Sequence, residues 1–128
     1  MFNNNLSIGK FGEDLACNYL KSKGYRIFGR NYREKIGEID VIAISRDKTL
    51  VFVEVKTLQS GNAAIAELTP EDNLTKSKLK KLSRICEIFV AKNPHLIKEE
   101  KGWRIDLVAI SLDENLKPKF EHYENISL

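Results

Sequence analysis

Two runs rich in valine and isoleucine constrain the fold of this chain most strongly. They are GEIDVIAI at residues 37–44 and LVFVEVK at residues 50–56, and the short polar segment SRDK lies between them. Such runs predict β-strands, and so short a connection predicts an antiparallel hairpin. The chain should therefore be built around a sheet that contains this hairpin.

Patterns on either side of the hairpin predict further elements of an α/β fold. Apolar residues at helical spacing predict one helix from Ser7 to about Lys23, stopped by Gly24, and another from about Thr75 to Lys92. Strands are predicted at residues 25–28, 103–110 and 120–126, with a polar, basic connection over residues 29–33 and a long connection over residues 58–73. The expected fold class is α/β with a central mixed sheet, and 128 residues fit one domain spanning residues 1–128.

The hairpin carries charged residues inside its apolar runs. If the hairpin turns about Asp47, the register places Asp40 directly across from Glu54, with Cβ atoms about 5 Å apart. Two carboxylates so close repel each other, and a hard cation such as Mg²⁺ would relieve the repulsion. Lys56 projects from the same face as Glu54. The hairpin alone leaves two alternatives open: a solvated strand face with an exposed Glu54–Lys56 pair, or a register shifted by one residue.

These residues resemble the active-site pattern of the PD-(D/E)XK nuclease superfamily. The chain is still more similar to the YraN-type bacterial family, an uncharacterised group with an endonuclease-like fold. The similarity continues through GKFGEDLACNYLKSKGYRI, RNYR, RIDLVAI and HYENI in the same order. It implies a restriction-endonuclease-like sheet flanked by helices, Mg²⁺ or Mn²⁺ as cofactor, Asp40, Glu54 and Glu13 as catalytic metal ligands, and Lys56 as the catalytic lysine. Leu58 stands where the family usually has an arginine, which removes one candidate phosphate contact.

Basic residues cluster around the start of the second predicted helix. The formal net charge is only +3, so affinity for a polyanion depends on where these residues lie. A solvated helix face is one interpretation of such a run, and a track for backbone phosphates beside the hairpin is the other. The candidate nucleic-acid-binding residues are Arg30, Arg33, Lys76, Lys78, Lys80 and Arg84.

The function expected from these features is metal-dependent hydrolysis of phosphodiester bonds in DNA, with branched DNA as one candidate substrate. DNA rather than RNA is the expected nucleic acid. The alternative is a nucleic-acid-binding or scaffold protein on the same fold that does not cleave, or that cleaves only with a partner. Analogy with resolvases of similar fold suggests a homodimer.

The expected location is the cytoplasm. The segment MFNNNL lacks the pattern of a secretion signal, and no apolar run approaches membrane-spanning length. Cys17 and Cys86 are far apart and have no CxxC spacing, which favours two reduced, packed thiols over a disulfide or a metal knuckle.

Overall fold

A five-stranded mixed sheet with a helix on each face forms the described part of the chain. The computed structural model of the protein describes residues 5–59, 74–98 and 100–127. The predicted α/β class, a mixed sheet flanked by helices, is confirmed. In chain order the elements are α1 (Asn5–Ser22), β1 (Arg26–Glu34), β2 (Gly37–Ile44), β3 (Leu50–Gln59), α2 (Lys76–Lys92), a short 3-10 helix (Pro94–Leu96), β4 (Trp103–Leu112) and β5 (Pro118–Tyr123).

The strands lie in the order β1-β2-β3-β4-β5 across the sheet. Strands β3 and β4 are parallel, and the other neighbours are antiparallel. Parallel neighbours need a crossover connection, and α2 belongs to the one between β3 and β4. The central position of β3 explains its sequence, because Leu50 to Val53 are buried and both faces of the strand must be apolar.

The β2–β3 hairpin has the predicted register. Its partners run from Ile44↔Leu50 to Val41↔Val53, so the residue numbers of each pair sum to 94. The Ser45 N–H donates to the Thr49 carbonyl oxygen at 2.9 Å and closes the turn. Turn length therefore sets which side chains of the two strands face each other.

Two apolar clusters lie on opposite faces of the sheet. One joins Leu20 of α1 to Val53 of β3 and Val108 of β4, and the other joins Phe89 of α2 to Phe52 of β3. Both cysteines are free and buried, as predicted, one in each cluster. Neither described helix has the length and apolar character that a bilayer crossing requires.

The boundaries of several predicted elements were wrong. β1 extends to Glu34, well past the predicted end at residue 28, because the segment predicted as a basic connection pairs with β2 through a bulge between Ile27 and Gly29. α1 begins at Asn5 rather than Ser7. β3 also includes residues 58 and 59, β4 ends at Leu112 and β5 covers Pro118–Tyr123. Residues 60–73 of the predicted long connection lie outside the described residues.

Helix α1 crosses β3 in direct contact at Gly12. A Cβ atom at Gly12 would lie 1.7 Å from the Thr57 Oγ1 atom, a distance that no real contact allows. A Cβ atom at Gly9, one turn earlier, would have no atom within 4 Å. Glycine at position 12 therefore lets α1 lie against the part of β3 that follows Lys56.

We expect Gly12→Ala to lower the melting temperature, because α1 must move away from β3 or Thr57 must shift. Gly9→Ala is the matched control and should raise the melting temperature, since alanine favours a helix interior by about 1 kcal/mol over glycine. Thermal unfolding followed by circular dichroism measures both. Equal shifts of the same sign would contradict the close crossing at Gly12.

Candidate functional site

Asp40 lies where β2 separates from β3. The last pair of the register is Val41↔Val53, and Asp40 is the residue immediately before Val41 in the chain. The Val55 N–H donates to Asp40 Oδ2 at 2.8 Å, where a continued antiparallel ladder would supply a main-chain carbonyl oxygen of β2. Asp40 is only 9% exposed. This hydrogen bond gives the Val55 N–H of β3 an acceptor and also orients the Asp40 carboxylate.

Glu54 lies beside Asp40. The two side chains form a hydrogen bond, and burial, that bond and the negative charge of Asp40 raise the pKa of Glu54 to about 9. The positive charge of Lys78 on α2 opposes the rise. The structure thus brings together the two carboxylates that the hairpin register predicted to be opposite. Without a cation, the raised pKa favours the protonated form of Glu54 at neutral pH.

Lysine side chains adjoin this carboxylate pair. Lys56 follows Glu54 by two residues in β3, so the two side chains leave the same face of the strand, and Lys56 is exposed. Lys78 lies in the first turn of α2, close enough for its charge to act on Glu54. Thr75 caps this helix by accepting a hydrogen bond from the Lys78 N–H. Lys76, Lys78, Lys80 and Arg84 are all exposed on α2, as the predicted phosphate track requires.

Glu13 contacts β1 rather than the carboxylate pair within the described residues. Its Oε1 atom accepts a hydrogen bond from Asn31 Nδ2 at 3.0 Å and lies 3.6 Å from a guanidinium nitrogen of Arg30. The same arginine pairs with Asp14 at 2.8 Å. Arg33 pairs with Glu38 at 3.0 Å. Both arginines thus have carboxylate partners, which a phosphate would have to displace.

A second charged cluster lies around Asp106, on β4. Arg104 donates to Asp106 at 3.0 Å, and the two side chains form an ion pair. His122, on the edge strand β5, also contacts this carboxylate, with its Nε2 atom 2.8 Å from Asp106 Oδ2. Burial raises the pKa of Asp106, but hydrogen bonds from His122, Arg104 and the Asn125 N–H hold it below its usual range. The alternation of Arg104 and Asp106 along one strand is visible in the sequence. The contact of Asp106 with His122, on the next strand, is not.

The Asp106 cluster has the residue types of a metal site but is already occupied by protein donors. Ligand atoms of Asp106, His122 and Glu124 lie within 4.8 Å of one another. Both oxygens of Asp106 accept protein hydrogen bonds, and Arg104 also lies 3.4 Å from Glu124. The guanidinium of Arg104 therefore already occupies the position that a metal cation would need. The cluster ties the chain after β5 to β4 and to the start of β1, through Tyr25.

Asp106→Asn should lower the free energy of unfolding by roughly 3–5 kcal/mol, because it leaves a guanidinium inside the protein without its carboxylate. Urea unfolding at neutral pH measures the loss. Glu114→Gln changes an exposed carboxylate in the same way and should have almost no effect. A loss for Asp106→Asn as small as that of the control would show that this buried cluster contributes little.

The raised pKa of Glu54 makes stability depend on pH. The pKa is raised from 4.5 to about 9, so the folded state binds more protons than the unfolded state between these values. In EDTA, stability should fall as pH rises from about 4.5 to 9, by at most about 1.4 kcal/mol per pH unit from this group. Glu54→Gln should flatten that decline, and Glu114→Gln should leave it unchanged. Identical pH profiles for wild type and Glu54→Gln would contradict the raised pKa of Glu54.

Comparisons with known proteins identify relatives over almost the whole chain. The model of the uncharacterised protein family UPF0102 matches residues 12–110. A UPF0102 protein of Alkaliphilus oremlandii is 42% identical over 121 residues, which cover 94% of this chain and 97% of that protein. One of Campylobacter concisus is 38% identical and covers 94% of this chain and 93% of its own length. The predicted similarity to the YraN-type family is confirmed.

A solved structure is also similar, but only weakly. It is Pyrococcus furiosus SfsA in complex with Ca²⁺, at 15% identity and a TM-score of 0.38. The match covers 98% of this chain and 66% of that chain. Similarity at this level indicates nothing further about the present chain.

Proposed function

The chain belongs to the uncharacterised protein family UPF0102, and we propose that it is a metal-dependent nuclease that hydrolyses phosphodiester bonds of DNA. The observation that carries the proposal is the pair of neighbouring carboxylates, Asp40 and Glu54, held together where β2 leaves β3. Two nearby carboxylates that cannot both ionise are costly to stability unless a cation replaces the proton. Such a pair is more easily explained as a ligand set than as a structural contact.

The donor set suits a hard divalent cation. Carboxylate oxygens are the ligands that Mg²⁺ and Mn²⁺ prefer, and Mg²⁺ in particular keeps several waters when few protein groups bind it. The Val55 N–H holds Asp40 in one orientation, as a ligand must be held. Asp40 and Glu54 would hold the ion, with Glu54 giving up its proton on binding. Glu13 stays a predicted third acidic residue.

Hydrolysis forms a bond from a water oxygen to phosphorus and breaks the bond to one ester oxygen. A cation bound by the carboxylate pair would lower the pKa of water and neutralise phosphate charge. Lys56, an exposed ammonium on the same face of β3 as Glu54, would donate to a phosphate oxygen as negative charge develops there. An ammonium has no lone pair, so Lys56 acts as a charge and hydrogen-bond donor rather than as a base.

Helix α2 would hold the substrate backbone beside this centre. Lys78 already acts electrostatically on Glu54, and Lys76, Lys80 and Arg84 extend the positive charge along the same helix. Contacts of this kind bind phosphates without reading bases. They are compatible with DNA of several forms, including the branched DNA that the sequence resemblance suggests.

A cleavage assay tests the proposal on single-stranded, duplex, flapped and four-way-junction DNA, with and without Mg²⁺ or Mn²⁺. Cation-dependent cutting is expected for the wild type. Asp40→Asn and Lys56→Ala should each reduce it at least about a hundredfold, because each removes a group that acts on the developing charge. Lys119→Ala, which removes an exposed lysine on β5, should leave the rate unchanged.

Metal binding separates the roles of the two residues. Mn²⁺ should raise the melting temperature of the wild type and of Lys56→Ala, but not of Asp40→Asn, because only the last variant lacks a ligand. Cutting that persists in Asp40→Asn would come from another site or a contaminant. Salt-dependent DNA binding without any cutting would replace the proposal with the non-cleaving, partner-dependent alternative.

A further inference from the structure

A basic pocket lies at the opposite end of α2 from Lys78. It has a volume of about 450 Å³, within the range of roughly 300–1,000 Å³ typical of small-ligand sites. The start of β1, the β2–β3 turn and the segment after α2 form its walls. Ile44 of β2 lines the pocket and lies four residues from Asp40, which corresponds to roughly 13 Å along the strand. The residues with cationic or ionisable basic side chains that line it are Arg26, Arg46, Lys48, His95 and Lys98.

The positive charge of this pocket is not compensated within the described residues. No acidic residue is among those that line it, and among residues 5–59, 74–98 and 100–127 no carboxylate lies within ion-pairing distance of its two arginines and two lysines. Arg30, Arg33 and Arg104 all have such partners elsewhere in the structure. Four converging cations repel one another, which is unfavourable unless an anion joins them.

The β2–β3 turn places one of these cations, Lys48, at a conformational cost. Lys48 has a φ angle of +75°, a region that glycine and asparagine occupy more readily than lysine. Arg46 packs over Gly24, where a Cβ atom would lie 2.4 Å from the arginine Nε. Lys48 occupies a conformation suited to glycine, and Gly24 leaves room for the Arg46 side chain. Both observations favour a role for the positive charge.

The acidic residue of the turn is bonded to the turn itself. Asp47 Oδ1 accepts hydrogen bonds from the Ser45 hydroxyl and from the Thr49 hydroxyl and N–H, and these lower the pKa of Asp47 to about 2. Its other oxygen lies 3.9 Å from Lys101. Asp47 therefore stiffens the turn and leaves the cations on either side of it in sequence, Arg46 and Lys48, available for another anion.

We infer that this pocket binds a phosphate group, with Arg46 and Lys48 as its principal contacts. Arginine offers paired N–H donors to phosphate oxygens, and lysine adds a compact charge. The phosphate can belong to a free phosphorylated small molecule or to a nucleic-acid backbone that reaches this end of α2. The inference stands independently of the proposed nuclease function, because the pocket shares no residue with the carboxylate pair.

The test measures binding to the full chain in EDTA, with inorganic phosphate as one probe and a short DNA duplex as the other. Lys48→Gly and Arg46→Gln should each weaken binding of the probe that uses the pocket by at least about fivefold. Lys119→Gln is the matched control and should change neither. Lys48→Gly should keep or raise the melting temperature, because glycine relieves the positive φ angle, so weaker binding could not be ascribed to unfolding.

The two probes distinguish the source of the phosphate. Weaker binding of inorganic phosphate alone would identify a free phosphate ligand. A loss in duplex affinity, with a salt-dependence slope lower by about 1 for each variant, would identify a nucleic-acid backbone. Unchanged binding of both probes would overturn the inference. Binding is measured in EDTA, without the cation that cleavage requires, so a failure of the nuclease proposal would not affect this result.

Discussion

The hydrogen bond from the Val55 N–H to the Asp40 carboxylate is the interaction on which the candidate site depends. A main-chain N–H inside a sheet needs an acceptor, and an acidic side chain supplies it here in place of the neighbouring strand. β2 can therefore separate from β3 without leaving that donor unsatisfied. The same bond fixes one carboxylate beside Glu54, so the local geometry of the sheet and the chemistry of the site have a single origin.

Three groups of charges in this protein differ in how completely protein partners satisfy them. The buried Asp106 accepts hydrogen bonds at both oxygens from Arg104, His122 and a main-chain N–H, and it holds strands together. Asp40 and Glu54 are two neighbouring carboxylates, and the pKa of Glu54 is raised to about 9 by burial and by Asp40. The pocket at the far end of α2 has cations that lack carboxylate partners among the described residues. An external ion binds most favourably where protein partners leave charge uncompensated. The carboxylate pair and the basic pocket are therefore the two groups that suit external ions.

Much of the fold could be predicted from local patterns. The strands of the hairpin, their register and both helices follow from side-chain periodicity, from the length of one turn and from residues that stop or cap helices, such as Gly24 and Thr75. The second half of β1 could not be predicted in this way. Gly29 and Asn31 are poor strand formers, and pairing with β2 overrides their local preference through a bulge. The contact between His122 and Asp106 could not be predicted from local patterns either, because the two residues lie on adjacent strands, sixteen positions apart in the sequence.

The sequence by itself determined that Asp40, Glu54 and Lys56 belong to one hairpin, because alternation and turn length are local properties of the chain. Only the tertiary structure decided what surrounds them. The packing of α2 sets Lys78 near Glu54, the burial of Glu54 raises its pKa, and the pairing of Arg30 with Asp14 and Glu13 occupies a predicted phosphate ligand. The cations of the basic pocket come from three separate segments of the chain. Electrostatic interaction depends on distance in space and on burial, and neither quantity is encoded by position along the chain.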